Sequence, residues 1–147
     1  MTGEGMPLSL WMRFVVYGCF GWCFEIVFTS VKGFFRSKCK DWSFFGKSYL
    51  WMLPIYGLAA FLFEPAHDAM RPLPWPIRGI LYAIGLYIVE FVTGWLLRVT
   101  TGKCPWDYSH AKYNFKGLIR WDYAPVWFGF CLVLEQLHDL LLRIRIQ

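Results

Sequence analysis

The chain has 147 residues, of which 57% are hydrophobic, 21% aromatic and 17% charged, with mean hydropathy +0.39 and formal net charge +5. A soluble domain usually carries roughly 25% charged residues. This length allows one domain, and its apolar content exceeds what one small water-soluble core can hide, so an ordinary soluble domain is excluded.

Taken in chain order, the first apolar run covers residues 10–31, "LWMRFVVYGCFGWCFEIVFTSV", and the third covers 77–97, "IRGILYAIGLYIVEFVTGWLL". Both reach the ~20 residues that cross ~30 Å of hydrocarbon at 1.5 Å per residue. The second, 48–64, and the fourth, 121–142, have shorter apolar cores and need tilt, a thinner bilayer or interfacial flanks. The expected fold is all-α, a four-helix transmembrane bundle in one multi-pass domain over residues 1–147.

The N-terminal "MTGEGMPLSL" is acidic where a leader would be basic, and the apolar run after it is too long for an h-region. The first helix is therefore expected to act as its own insertion signal. With Thr2 at the second position and "RIRIQ" at the end, neither N-myristoylation nor prenylation is expected. Five cysteines, an odd number, argue against a full disulfide framework. Cys19 and Cys23 stand one helical turn apart with no His near them, which favours small buried hydrophobes over a metal pair.

Charge orients the chain. The loop after the first helix holds Lys32, Arg36, Lys38, Lys40 and Lys47, and the loop after the third holds Arg98, Lys103, Lys112, Lys116 and Arg120. The positive-inside rule puts these loops in the cytosol and both termini on the other side. Facing anionic lipid accounts for the net charge. Nucleic acid is excluded as a partner, because the basic residues flank membrane spans rather than forming one surface.

The halves resemble each other. Phe44, Gly46, Pro54 and Glu64 recur at a constant offset of 71 as Phe115, Gly117, Pro125 and Glu135. The first and third helices align at an offset of 65, pairing Glu25 with Glu90. The difference falls in the loops, where insertions are tolerated. Two tandem helical hairpins related by a parallel repeat are the expected architecture.

That repeat selects the candidate polar site. Glu25 and Glu90 each lie roughly 9–10 Å from the cytosolic end of their helices, beneath the basic loops. Ionisable groups in a span are costly unless paired or hydrated. Arg98 lies two turns after Glu90 and can snorkel or clamp an anion. The loop "GKCPWDYSHAKYNFKG", residues 102–117, adds Trp106, Asp107, Tyr108 and Asn114. The segment is expected to fold back on the helix ends as a lid, with Trp106 packed and Asp107 near Arg98. The alternative is that Asp107 caps a local turn and Trp106 anchors at the interface. Glu64 and Glu135 read as solvated interfacial caps. His67 and His138, three residues later, fall at metal-ligand spacing but read as solvated, so neither metal nor cofactor is expected. No GxSxG, HExxH, P-loop or dinucleotide fingerprint occurs, and Ser109-His110 is not a dyad.

"GWCFE", "PIYG", "VEFVTGWLLR", "CPWDYS", "YNFKGLI" and "APVW…LEQ" occur in this order. In them the chain resembles the transmembrane protein 229 family, which is similar to a bacterial group carrying a type-IV ABC-transporter label. The resemblance covers about residues 8 to 145 and implies a four-span membrane protein without supplying a mechanism. Three readings stay open: a transporter component or small-molecule and lipid carrier, a scaffold or regulatory subunit, and a membrane enzyme acting on lipid headgroups. The bilayer is the expected partner. Four spans make a thin wall, so a homodimer or a partner membrane protein is expected to enclose any path.

Overall fold

The computed structural model describes residues 6–146, and the readings that rest on residues 1–5 and on Gln147 lie outside them. The fold is all-α apart from two short ribbons: β1 (Met6–Pro7), α1 (Leu10–Arg36), α2 (Met52–Gly57), α3 (Ala59–Met70), α4 (Trp75–Thr101), β2 (Asn114–Phe115), β3 (Ile119–Arg120), α5 (Ala124–Arg143) and β4 (Arg145–Ile146). A 3-10 turn, Trp121–Tyr123, leads into α5. Among the described residues, Leu10–Arg36, Trp75–Thr101 and Trp121–Arg143 are long and apolar enough to cross a membrane.

The expected second span is displaced. Residues 48–51 are not helical, and the helical path from Met52 to Met70 is interrupted at Leu58. There the Leu58 N–H is shared between the carbonyls of Pro54 (3.1 Å) and Ile55 (3.2 Å), a local 3-10 tightening. Pro65 inside α3 removes one further helical donor. Helices α1 and α4 instead run past their apolar cores. Arg36 in the last turn of α1 and Arg98 in that of α4 suit the negative helix end. Ser9 caps α1 through the Met12 N–H at 3.3 Å, and Gly102, at φ 77°, ends α4 in the left-handed conformation.

Two compact units divide the chain, Met1–Phe63 with Arg145–Gln147, and Glu64–Ile144. In the first, α1 and α2 approach closely through small residues. A Cβ on Gly21 would overlap the Tyr56 ring, one on Gly18 would press the Leu53 carbonyl, and one on Gly57 would press the Phe14 ring. Small residues let backbones approach and gain dispersion where lipid offers no hydrophobic contrast. The ends of this unit form the antiparallel pair Met6↔Ile146 and Pro7↔Arg145.

In the second unit α4 packs on α5, and a Cβ on Gly79 would overlap the Phe128 ring. Phe14 and Gly79 are related by the helix offset of 65, and Gly57 and Phe128 by the offset of 71. The two hairpins thus use the same Phe-on-Gly contact with the partners exchanged. Val15 and Val27 on α1, and Ile84, Ile88 and Val99 on α4, remain exposed, as side chains facing hydrocarbon would be. Cys19 and Cys23, expected to be buried, are exposed on α1, whereas Cys131 is buried.

Candidate functional site

The loop before α2 runs along α1, and α1 side chains satisfy its backbone. The Trp22 Nε1–H donates to the Tyr49 carbonyl (2.7 Å), the Lys47 N–H donates to the Thr29 hydroxyl (2.9 Å) and the Ser30 hydroxyl donates to the Phe44 carbonyl (2.5 Å). Irregular backbone packed against a helix needs such partners for its polar groups. Between them the half-buried Glu25 accepts the Ser48 hydroxyl at 2.7 Å.

The second unit repeats the scheme. The Tyr87 hydroxyl donates to the Arg120 carbonyl at 3.0 Å. Residues 22 and 87, and residues 49 and 120, are related by the same offsets of 65 and 71 found in the sequence. The half-buried Glu90 accepts the Tyr108 hydroxyl at 3.2 Å. Glu25 and Glu90 belong to different units, and each meets its own loop.

The loop after α4 folds back on that helix. Trp106 is buried, donates Nε1–H to the Leu118 carbonyl at 2.9 Å, and packs where a Gly94 side chain would stand. Asn114 closes the loop, donating to the Ala111 carbonyl (2.6 Å) and accepting the Gly117 N–H (2.9 Å). Gly117 is required there: its φ is 69°, and a Cβ would overlap the Ser109 hydroxyl. Arg98 donates to the Lys116 carbonyl at 3.0 Å.

Asp107 is exposed and accepts the Ser109 N–H (2.9 Å) and hydroxyl (2.6 Å). It therefore caps a local turn, the Asp107 half of the alternative reading, while the Arg98 charge still acts on it and Trp106 is packed as the lid reading expected. These Ser109 hydrogen bonds hold its carboxyl below the usual carboxylate range, with a smaller effect from the Arg98 charge. Burial raises the Cys104 thiol.

A second polar cluster lies at the other end of α4, about eight residues or ~12 Å along the helix from Glu90. It overturns one expectation. Glu64 and Glu135 are not solvated caps, and His67 and His138 are not solvated histidines: each glutamate is 6% exposed and each histidine 1%. Glu64-Pro-Ala-His67-Asp68 lies on α3 and Glu135-Gln-Leu-His138-Asp139 on α5. The i, i+3 spacing puts Glu and His of each motif on one helix face.

The two motifs cross-pair. His67 Nδ1 is 3.5 Å from Glu135 and His138 Nδ1 is 3.4 Å from Glu64. His67 Nε2 is 3.8 Å from Asp139, and His138 Nε2 is 3.5 Å from Asp68. The imidazole centroids are 5.1 Å apart. The Tyr82 hydroxyl lies 2.7 Å from His67 Nδ1. Arg78 holds Glu135 with two donors, at 3.0 and 2.5 Å. Arg71 spans both aspartates, at 3.2 Å from Asp68 and 2.5 Å from Asp139, and the Asp139 hydrogen bond reinforces its charged form. His67, His138 and Asp139 present ligand atoms all within 4.8 Å of one another.

The signal for this cluster was the recurrence of Glu-x-x-His-Asp at the offset of 71. Arg78 and Tyr82 also have counterparts at the helix offset of 65, Arg13 and Tyr17. The family model described as "Putative ABC-transporter type IV" matches residues 12–146 of the chain. No solved structure matches it.

Proposed function

The chain belongs to the family described as "Putative ABC-transporter type IV", whose model spans residues 12–146, and on that premise we propose that it is a membrane component of a transport system that handles a small molecule or lipid. One observation carries this reading. In each hairpin a half-buried carboxylate sits under its own long loop and accepts a hydroxyl from it, Ser48 on Glu25 and Tyr108 on Glu90. A carboxylate held by a loop hydroxyl can exchange that donor for a proton or a polar headgroup at small cost. The CPWDYS and YNFKGLI segments further support assignment to the transmembrane protein 229 branch. The chain carries no nucleotide-binding motif, so energy input calls for a partner that has one, and an enclosed path calls for a second copy or a partner membrane protein.

Native mass spectrometry of the full chain, purified with co-extracted small molecules retained, tests the site. Glu25→Gln with Glu90→Gln is expected to remove the bound species while helicity and thermal midpoint persist. Unfolding or loss of a partner subunit instead, with ligand retained on the folded fraction, would favour the scaffold reading. That reading has its own support, since Trp22–Tyr49 and Tyr87–Arg120 fasten each loop to its helix without using the carboxylates.

The orientation proposed from the basic loops is open to tagging. The pairing of Met6–Pro7 with Arg145–Ile146 supports an even number of crossings, in which the broken α2–α3 path returns the chain across the bilayer. Tags at residues 40 and 110 are expected on the cytosolic side and one at residue 70 opposite. If 40 and 110 report opposite sides, the even-crossing topology is wrong.

A further inference from the structure

The cluster on α3 and α5 is independent of the loop-capped carboxylates, and its geometry points to a metal centre. We propose that His67, His138 and Asp139, with Asp68 opposite, bind one first-row divalent transition-metal ion of zinc-like preference.

The argument begins with the two faces of each imidazole. Both Nδ1 atoms face fixed outer partners, Glu135 and Tyr82 for His67 and Glu64 for His138, at 3.5, 2.7 and 3.4 Å respectively. Both Nε2 atoms face the aspartates, at 3.8 and 3.5 Å. Metal-bound histidines characteristically give their second ring nitrogen to a carboxylate or similar acceptor, which sets tautomer and ring angle. Here that outer shell is built twice, once per motif. It leaves each Nε2 atom facing one aspartate oxygen, and His67, His138 and Asp139 offer ligand atoms within 4.8 Å of one another.

Two imidazoles and two carboxylates suit zinc and its neighbours, and exclude neither tetrahedral nor five-coordinate geometry. Calcium and magnesium prefer all-oxygen shells. Metal–ligand distances of about 2.0–2.2 Å place tetrahedral ligand atoms roughly 3.3 Å apart. The present spread of up to 4.8 Å therefore contracts by about an ångström or more on binding, within the reach of side-chain rotation.

Glu-x-x-His pairs on two helices are also part of dinuclear carboxylate sites, which add a Glu from each of two further helices. In this cluster Arg78 already holds Glu135 through two hydrogen bonds. Its fixed positive charge disfavours a second cation, so a mononuclear site results.

Arg71 competes with a metal for the same carboxylates. Its guanidinium joins Asp68 to Asp139 and neutralises the carboxylates that would ligate. Its side chain is 45% exposed, so it can swing into solvent when an ion arrives. Arg71 thus acts as a competing internal cation and sets the affinity.

The test uses the full-length chain in detergent, stripped with chelator, and cobalt(II) as probe. The wild type is expected to take up one Co²⁺ per chain with ligand-field absorption bands, which Zn²⁺ then removes. X-ray absorption should report a nitrogen and oxygen first shell with imidazole scattering. Asp139→Asn and His138→Gln should abolish the bands, and Arg71→Gln should tighten binding. Tyr82→Phe, acting from the outer shell, should weaken it about 10–100-fold. Absence of bands in the wild type would overturn the proposal, and so would a sulfur first shell. Bands that survive in both Asp139→Asn and Arg71→Gln at wild-type affinity would overturn it as well. Asp139 and Arg71 are partly exposed, so these variants keep the test open if His138→Gln fails to fold.

Discussion

The two polar ends of the second unit use similar residues to opposite effect. At the loop end Trp106, Asn114 and Arg98 all donate to backbone carbonyls, and Asp107 accepts a backbone N–H. Tyr108 is the residue of that run which reaches the Glu90 carboxylate. At the other end nearly every polar group meets another side chain: Arg78 with Glu135, Arg71 with both aspartates, Tyr82 with His67. The difference teaches that a distinctive polar sequence can serve mainly to fold a loop. A site can meanwhile be assembled from residues that look ordinary one helix at a time.

The contrast can be broken most forcefully at Trp106. Its ring is buried against Gly94, so Trp106→Ala is expected to destabilise the second unit by about 3–5 kcal/mol. Thermal or denaturant unfolding in detergent reads this. Cobalt binding by the folded fraction should be unchanged, because the loop and the cluster occupy opposite ends of α4. Loss of both together would show that the ends are one cooperative site.

The next largest effect concerns the repeat that underlies both ends. Gly79→Phe alone crowds Phe128 and should cost about 1–3 kcal/mol or more, the range for an overpacked core. Adding Phe128→Gly recreates the arrangement of Phe14 on Gly57 in the first hairpin. Recovery of most of the lost stability in the double variant is expected. A double variant worse than either single one would mean that the two hairpins pack differently.

A smaller pair of variants sharpens the comparison directly. Tyr108→Phe and Tyr82→Phe each remove one hydroxyl, from Glu90 and from His67 respectively. Each should cost about 0.5–1.5 kcal/mol in metal-free protein. They should separate in function: Tyr108→Phe alters small-molecule retention, and Tyr82→Phe alters metal affinity. Identical functional profiles would collapse the two ends into one.

The smallest expected effect is a pH dependence at the loop. The carboxyl of Asp107 is depressed below 3.8 by its Ser109 hydrogen bonds. A depressed acid stabilises the folded loop above its unfolded value and loses that contribution as pH falls through the folded one. Amide exchange at Ser109 should therefore accelerate below about pH 4 in the wild type. In Asp107→Asn the same amide should show no such acid step.

The residues made much of this legible. The all-α class followed from run length and composition. The repeat followed from paired offsets, and the structure expresses those offsets in the Trp22–Tyr49 and Tyr87–Arg120 hydrogen bonds. The break at Leu58 and the extension of α3 to Met70 were not legible, because hydropathy measures transfer into lipid and not the sharing of one N–H between two carbonyls. Glu64, His67, Glu135 and His138 looked solvated because each follows an apolar run and precedes polar residues.

By itself, then, the sequence determined that this is a helical membrane protein built from two related hairpins, with carboxylates in its first and third spans. Those are properties of run length, period and offset, which survive without knowledge of neighbours. Tertiary structure alone decided that Asp107 turns on its own loop while Tyr108 meets Glu90. It alone decided that two Glu-x-x-His-Asp motifs, one in each half of the chain, share one buried cluster. Burial of an ionisable group depends on which opposite charges and donors stand within about 4 Å of it, and no local pattern along a chain contains that distance.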